Sequence, residues 1–206
     1  MKRGAVPASP AAARTPRPPR HGKPPQEVRL IGGLLRRSKL PVADKPGLRP
    51  TPDRVRETLF NWLGTDLSGW RVLDAFAGSG ALGFEAASRG AAEVLLLERD
   101  ADLVLSLRAS QQRLKAEALR VEPANALQWM ARCAPQRFEL VLLDPPFDAG
   151  LLPAALAVAA PLVADGGCLY VESSTPMAES DLPAGFVLLR QAHAGQVHYH
   201  LLRRNT

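Results

Sequence analysis

From Trp70 onward, apolar residues occur in short, nearly continuous runs separated by segments with helical spacing. The runs RVLDAF, EVLLLE, LRVEP, FELVLLD and GCLYVES each have the length and composition of a strand. Runs that lack polar alternation indicate strands buried on both faces, as in a parallel sheet covered by helices. The pattern therefore predicts an α/β fold with a mostly parallel sheet.

The C-terminal segment has a different pattern. The residues FVLLRQAHAGQVHYHLLRR contain two strand-like runs around Ala194 and Gly195. Two such runs joined by a short turn predict an antiparallel hairpin. Together with the five preceding runs, the hairpin predicts a Rossmann-like sheet of seven strands, mostly parallel and antiparallel at its end.

A helix is predicted before the first of these strands. Thr51 is a residue type that caps helix N-termini, and Val55, Leu59 and Leu63 recur every fourth residue. Gly64 suits the C-terminal end. We therefore expect an amphipathic helix that begins after Thr51 and ends near Gly64.

Proline and arginine dominate the N-terminal segment. Residues 1–26 contain seven of the nineteen prolines and six basic residues, but no acidic residue. Such a composition cannot bury a core. We predict a disordered tail over residues 1–27 and one domain over 28–206, in which 28–64 form a basic extension with the helix and 65–206 form the Rossmann-like core.

Charge is distributed unevenly along the chain. Residues 27–57 carry eight basic and four acidic side chains, whereas residues 58–206 carry twelve basic and sixteen acidic ones. A basic front part on a mildly acidic body indicates a polyanionic partner that meets the N-terminal part.

The cysteines and the hydropathy exclude some classes of protein. Cys133 and Cys168 are the only cysteines and have no metal-ligand spacing. No run of about 18 apolar residues is present, as a transmembrane helix would require. We therefore expect a cytoplasmic protein without a metal site or a membrane span.

A glycine-rich turn follows the strand that ends at Asp74. Gly78, Gly80 and Gly83 satisfy the pattern G-x-G-x-x-G, and Glu98 lies twenty residues after Gly78. This is the dinucleotide fingerprint, in which the acid reaches a ribose hydroxyl. Methyltransferases of the same layered fold place similar glycines and an acid around S-adenosylmethionine. The spacing alone does not separate the two classes.

Three features favour S-adenosylmethionine over a dinucleotide. Asp74 can receive the cationic amino group of a methionine moiety, but it would repel a pyrophosphate. A polar group follows the third strand, where adenine would lie, and the fourth strand ends in Asp-Pro-Pro-Phe, which has no role in hydride transfer. The predicted cofactor contacts are Asp74, Phe76, Gly78, Ser79, Gly80, Glu98, Arg99, Asn125, Ala126 and Asp144.

The Asp-Pro-Pro-Phe segment predicts a catalytic loop for an exocyclic nucleobase amine. The lone pair of such an amine is delocalised into the ring, so a site must accept hydrogen bonds from both amine hydrogens. The carboxylate of Asp144 and the carbonyl of Pro145 are two such acceptors. Pro146 has no N–H and stiffens the loop, and Phe147 offers a face for a splayed-out base. Catalysis would then be mostly positioning and electrostatic stabilisation.

Together these segments resemble the RsmD family of bacterial 16S ribosomal RNA guanine-N2 methyltransferases. The matching stretches are RLIGG at 29–33, LRPTPDRVRETLFNWL at 48–63, LDAFAGSGALGFEAASRGA at 73–91, DPPF at 144–147, YVES at 170–173 and AGQVHYHL at 194–201. The resemblance implies a class I S-adenosylmethionine-dependent methyltransferase. It further implies, as substrate, the N2 amine of one guanine in 16S ribosomal RNA within an assembling small subunit.

Substrate contacts are expected before the first strand of the core. The RNA-binding candidates are Arg36, Arg37, Lys39, Arg49, Thr51, Arg54 and Arg56. The first three are predicted to contact phosphates. The long Pro/Arg-rich tail departs from the family pattern. We expect the protein to act as a monomer.

Other functions stay open at this stage. Asp-Pro-Pro-Phe by itself also suits methylation of an adenine N6 amine in DNA or RNA, although the chain has no separate region that would read a DNA sequence. An NAD-dependent oxidoreductase would bind NADH and would not need Asp144. A non-catalytic RNA-binding assembly factor would bind RNA without any cofactor.

Overall fold

The computed structural model describes Met1, residues 26–45, Leu48 and residues 51–205. Residues 2–25, which make up most of the predicted tail, lie outside the described residues, and so does Arg49. The strands are β1 (Gln26–Arg29), β2 (Lys39–Val42), β3 (Arg71–Asp74), β4 (Glu93–Glu98), β5 (Leu119–Pro123), β6 (Phe138–Leu143), β7 (Val163–Ser173), β8 (Phe186–Ala194) and β9 (Val197–Arg204). The helices are α1 (Asp53–Leu63), α2 (Ala81–Ser88), α3 (Ala101–Leu114), α4 (Ala126–Met130) and α5 (Leu152–Ala159), with short 3-10 turns at Phe147–Ala149, Ala160–Leu162 and Glu179–Asp181.

Seven strands form one sheet in the order β5-β4-β3-β6-β7-β9-β8. The five strands from β5 to β7 are parallel, β9 pairs antiparallel with β7, and β8 pairs antiparallel with β9. The structure confirms the predicted mostly parallel seven-stranded sheet with its terminal hairpin. It places the hairpin at one edge of the sheet, with β9 inserted between β7 and β8.

Both faces of the central strands are buried, as the unbroken apolar runs predicted. On one face, Val72 and Leu140 belong to a cluster that includes residues of α1, α2 and α3. On the other face, Leu73 and Val141 pack with residues of α4 and α5. Among the described residues, no helix is long and apolar enough to cross a membrane.

The strands β1 and β2 form a separate antiparallel hairpin. The first strand, β1, begins at Gln26, two residues before Val28, where the sequence predicts that the folded domain starts. The loop after β1 is fixed to α2, because the backbone N–H groups of Ile31 and Gly32 donate to Glu85 at 2.9 and 2.8 Å. The side chain of Glu85 is fully buried and also forms an ion pair with Arg89 at 2.9 Å. The N-terminal extension is therefore anchored to the core through one buried carboxylate.

The helix α1 ends at Gly64 as predicted, but its start differs from the prediction. Pro52 occupies the N-cap position, and no side chain caps the helix. The prediction that Thr51 caps α1 is wrong, because its hydroxyl donates to Asp144 instead. Thr51 thereby links the N-terminal extension to the predicted catalytic loop.

Candidate active site

The candidate site lies at the carboxyl edge of the parallel strands. Asp74 ends β3, Glu98 ends β4, and Asp144 follows β6 directly. These three strands are neighbours in the sheet. Parallel strands present their carboxyl ends at the same edge, which is where open α/β sheets bind ligands. The fold therefore brings together three acids that are far apart in the sequence.

The glycine-rich turn after β3 has a left-handed backbone, which favours glycine, at two positions. Gly78 and Gly80 have φ values of 52° and 79°. A Cβ at Gly80 would also lie 2.6 Å from Leu107 and 2.8 Å from Phe84. The turn thus leads from the strand into α2 in a shape that leaves no room for a side chain at Gly80.

Asp74 is turned towards the start of α2. Its carboxylate is only 2% exposed, and Oδ2 accepts a hydrogen bond from the N–H of Gly83 at 3.0 Å. Burial raises its pKa to about 7, and the charges of Asp144 and Glu98 act in the same direction. Its predicted contact with an amino group stays a prediction, because the structure shows its carboxylate engaged with the helix.

Glu98 contacts the glycine-rich turn. Its Oε2 accepts from the N–H of Gly78 at 2.9 Å, and its Oε1 accepts from the N–H of Asp100 at 2.9 Å. The side chain is half-buried, whereas that of the neighbouring Arg99 is exposed. Each carboxylate oxygen retains a second lone pair for a ribose hydroxyl.

The residues around the predicted adenine position are more open. Asn125 is exposed and caps α4, since its Oδ1 accepts from the N–H of Gln128 at 3.2 Å. Ala126 is buried beneath it, and Phe76 and Ser79 are half-buried on the glycine-rich turn. The side chain of Asn125 is thus already hydrogen-bonded within α4. The spacing of residues in the sequence did not reveal this contact.

The Asp-Pro-Pro-Phe loop follows β6 at the carboxyl edge of the sheet. Asp144 is half-buried, Pro145 is buried, Pro146 is exposed, and Phe147 is 40% exposed. Burial raises the pKa of Asp144 to about 7, and a hydrogen bond from Thr51 at 3.4 Å opposes that shift. Phe147 follows Asp144 by three residues and offers an exposed aromatic side chain, which stacking of a base would require.

Two site residues on β7 were missed. The hydroxyl of Tyr170 donates to Oε1 of Glu172 at 2.8 Å, and both side chains are buried. Burial raises the pKa of Glu172 well above its ordinary value, and the charge of Asp144 adds to this effect. The sequence signal was a polar residue within the apolar run GCLYVES, which by itself does not show that Glu172 approaches Asp144.

Three predicted phosphate contacts, Arg36, Arg37 and Lys39, and the predicted substrate contact Arg54 lie on the surface of the N-terminal extension. Arg36, Arg37 and Arg54 are exposed. Lys39 is also exposed, but its ammonium group forms an ion pair with Glu27 at 2.6 Å. Arg36, Arg37 and Arg54 are therefore better candidates than Lys39 for contact with a polyanion.

Arg56 requires a correction. Its side chain is fully buried, and its guanidinium donates to the carbonyl of Arg29 at 2.8 Å and to Asp53 at 2.6 Å. The prediction that Arg56 contacts RNA is therefore wrong, because the group is inaccessible and already bonded. Thr51, which is 6% exposed, likewise faces the interior.

The acids of the site fit a cationic ligand. Among the described residues, neither Asp74, Glu98 nor Asp144 takes part in a salt bridge. A pyrophosphate would be repelled there, whereas the ammonium and sulfonium groups of S-adenosylmethionine would be attracted. In the same part of the chain, no group of three His, Cys, Asp or Glu side chains is arranged to hold a metal ion.

Residues 28–203 match the family described as conserved hypothetical protein 95. Over 180 residues, the chain is 44% identical to ribosomal RNA small subunit methyltransferase D of Escherichia coli (strain K12), covering 86% of this chain and 90% of the relative. It is 40% identical over 184 residues to the protein of the same name in Haemophilus influenzae, covering 85% of this chain and 93% of the relative.

A solved structure is similar over nearly its whole length. The Escherichia coli protein yhhF gives a TM-score of 0.78 at 43% identity, covering 88% of this chain and 99% of that chain. The matched residues of the family include the glycine-rich turn, Asp144 and Glu172, so the similarity covers the whole candidate site.

Proposed function

The chain belongs to the family of the ribosomal RNA small subunit methyltransferase D proteins, and on this premise we propose that it transfers a methyl group from S-adenosylmethionine to the exocyclic N2 amine of a guanine in 16S ribosomal RNA. The observation that carries this proposal is the position of Asp144. Its carboxylate follows β6 at the edge where the glycine-rich turn lies, and Phe147, three residues later, is exposed.

The acceptor amine would be held by two oxygen atoms of the catalytic loop. Asp144 and the carbonyl of Pro145 accept one amine hydrogen each, which favours the pyramidal amine and directs its lone pair towards the glycine-rich turn. The bound cofactor supplies an electrophilic methyl group on a sulfonium. Asp144 then receives the proton that the amine loses, and its raised pKa of about 7 suits that task at neutral pH.

The residues that would hold the cofactor surround the turn after β3. The backbone of Gly78 and Gly80 lets the ligand approach closely, Glu98 would bind the ribose hydroxyls, and Asn125 with Ala126 would lie beside the adenine. Arg99, next to Glu98, would lie at the rim of this pocket. This assignment is supported by the convergence of β3, β4 and β5 at one edge of the sheet.

The RNA would meet the N-terminal extension and the catalytic loop. Arg36, Arg37 and Arg54 are exposed and would contact phosphates, while Phe147 would stack on the extruded guanine. A loop that is fixed to α2 by Glu85 holds the first two arginines in a defined place. We expect a monomer that acts in the cytoplasm on an assembling small subunit.

The experiment combines the chain, labelled S-adenosylmethionine and small ribosomal subunits that lack modification, and it ends with nucleoside analysis. We expect N2-methylguanosine in the RNA, and we expect initial labelling to be slower by about 10²–10³ with the variant Asp144→Ala. N6-methyladenosine in the RNA, or label in DNA only, would replace the guanine assignment by the adenine alternative. NADH binding with no methyl transfer would support an oxidoreductase, and RNA binding without any cofactor would support an assembly factor.

A further inference from the structure

Lys45 of the N-terminal extension reaches the loop that carries the proposed cofactor acid, Glu98. Its ammonium group donates to both carboxylate oxygens of Asp100, at 2.5 and 2.6 Å, and to Oδ2 of Asp102 at 2.9 Å. Lys45 follows β2, whereas Asp100 lies two residues after Glu98 and directly before α3. An ion pair thus joins the extension to the loop between β4 and α3, and the proposed function gives Lys45 no task.

Asp100 connects this ion pair to Glu98. Its Oδ1 accepts from two N–H groups in the first turn of α3, at 3.0 and 3.1 Å, and so caps the helix. The N–H of Asp100 donates to Oε1 of Glu98 at 2.9 Å, and Oε2 of Glu98 accepts from the N–H of Gly78 at 2.9 Å. A continuous series of hydrogen bonds therefore runs from Lys45 through Asp100 and Glu98 to the glycine-rich turn.

A second contact from the extension reaches the same turn. The side chain of Leu48 lies against Gly78, since a Cβ placed on Gly78 would be 3.0 Å from Cδ1 of Leu48. The N–H of Leu48 donates to the carbonyl of Lys45 at 3.1 Å, so these two residues lie close together. The extension therefore meets both partners of the hydrogen bond between Gly78 and Glu98. Leu48 contacts the glycine directly, and Lys45 reaches the acid through Asp100.

The ion pair of Lys45 and Asp100 differs from an isolated surface pair. The two side chains are 29% and 37% exposed, whereas that of Asp102 is 80% exposed. An exposed pair contributes little by itself, but a pair with good geometry inside a network contributes more. Because Asp100 is held at both carboxylate oxygens, its backbone has less freedom to move, and its N–H stays directed at Glu98.

We propose that Lys45 is a positioning residue of the cofactor site: it holds Asp100, and Asp100 holds Glu98 in the orientation that receives the ribose hydroxyls. Lys45 acts through Glu98 and needs no contact with the cofactor itself. The N-terminal extension, where the RNA contacts are expected, then contributes to cofactor affinity as well. This inference rests on the proposed use of S-adenosylmethionine.

The test measures the Kd for S-adenosylmethionine of four variants by calorimetry. In Lys45→Met, Asp100 loses its cation, so we expect Kd to rise about fivefold or more. Lys45→Arg keeps the cation and should stay within about twofold of the wild type. Two controls should also stay within about twofold. Lys115→Met removes the same charge from the exposed C-terminal end of α3, and Asp102→Asn removes only the exposed second partner of Lys45.

A double variant tests the route of the effect. If Lys45 acts through Glu98, then Lys45→Met should raise Kd by less than about twofold in a chain that already carries Glu98→Ala. Amide hydrogen exchange of the cofactor-free chain, followed by NMR, gives a readout that needs no ligand. The amides of Asp100 and Gly78 both donate to Glu98. We expect them to exchange faster in Lys45→Met, while the amides in the middle of α3 keep their rates.

An unchanged Kd in Lys45→Met, or the same increase with and without the side chain of Glu98, would overturn the inference. Faster exchange along the whole of α3 would also overturn it, because Lys45 would then stabilise the helix rather than position Glu98. A wild-type chain that does not bind S-adenosylmethionine would instead contradict the proposed function. The exchange rates of Asp100 and Gly78 would then still show whether Lys45 holds Glu98.

Discussion

The carboxylate of Glu98 accepts a hydrogen bond from the N–H of Gly78 at 2.9 Å, although twenty residues separate the two in the sequence. The contact forms because β3 and β4 are parallel neighbours, so the acid that ends one strand reaches the turn that follows the other. It gives Glu98 a structural task beside its proposed contact with a ribose.

Replacement of Glu98 tests both tasks. In Glu98→Ala the turn loses an acceptor for Gly78 and the ribose loses its carboxylate, so we expect the Kd for S-adenosylmethionine to rise about tenfold or more. Glu98→Gln retains one acceptor oxygen and should have a smaller effect. Calorimetric titration measures both, and an unchanged Kd in Glu98→Ala would refute the cofactor assignment.

Asp144 should affect catalysis rather than cofactor binding. We expect kcat to fall by about 10²–10³ in Asp144→Ala, as for the removal of a group that stabilises developing charge. Asp144→Asn should be similarly impaired, because its amide cannot take the proton of the amine. The matched control is Glu117→Gln, an exposed acid in a loop of the core. Full activity of Asp144→Ala with bound cofactor would exclude its catalytic role.

The stability of the protein should depend on pH through Asp74. Its pKa rises from 3.8 to about 7 on folding, so between these values the folded state binds more protons than the unfolded state. The resulting stabilisation is present below pH 3.8 and is lost as the pH rises through about 7. Asp74→Asn cannot titrate.

Urea unfolding at several pH values isolates this contribution. Relative to Asp74→Asn, the wild type should lose up to about 4 kcal/mol of its free energy of unfolding between pH 4 and pH 8. Comparison with the variant removes the contributions of other titrating groups, which both proteins share. Two unfolding free energies that vary in parallel with pH would show that Asp74 has an ordinary pKa.

The buried guanidinium of Arg56 should matter for stability. In Arg56→Met, the carbonyl of Arg29 loses its donor and Glu85 loses a cation 3.5 Å away. We expect the free energy of unfolding to fall by about 3–5 kcal/mol, as when one partner of a buried ion pair is removed. The exposed neighbour Arg54 is the control, and Arg54→Ala should change it by about 0.5 kcal/mol or less. Equal effects of the two variants would contradict the structural assignment of Arg56.

Arg36 and Arg37 should determine the salt dependence of RNA binding. If each contacts one phosphate, the double variant Arg36→Ala/Arg37→Ala should lower the slope of log K against log salt by about 2 in magnitude. Arg190→Ala removes an exposed arginine from β8 and should leave the slope unchanged. The same slope in the double variant and the wild type would mean that the RNA binds elsewhere.

Much of the fold was predictable because its signals are local. The unbroken apolar runs of β3, β4 and β6 indicated a parallel sheet, and the turn at Gly195 indicated the hairpin of β8 and β9. The insertion of β9 between β7 and β8 was not predictable, since strand order depends on contacts between distant segments. The glycine-rich turn was recognisable from its spacing, because the positive φ values at Gly78 and Gly80 favour glycine at these two positions.

The candidate site was predictable in part for the same reason. Glu98 ends an apolar strand and Asp144 directly follows one, so their place at the sheet edge could be inferred from the sequence alone. The surroundings of Arg56 and Glu172 could not be inferred in this way, because neither an arginine on a predicted helix nor a glutamate in an apolar strand shows which groups it meets. Arg56, for example, donates to the carbonyl of Arg29, which lies 27 positions away in the sequence.

The sequence by itself determined the elements, the glycine-rich turn and the Asp-Pro-Pro-Phe loop, because backbone preference and apolar periodicity act over a few residues. Only the tertiary structure decided which polar groups form hydrogen bonds and ion pairs with one another. Thr51 faces Asp144 rather than its own helix, and Arg56 faces Glu85 rather than solvent. Such pairings depend on burial and on distances between elements, and these exist only once the elements have packed together.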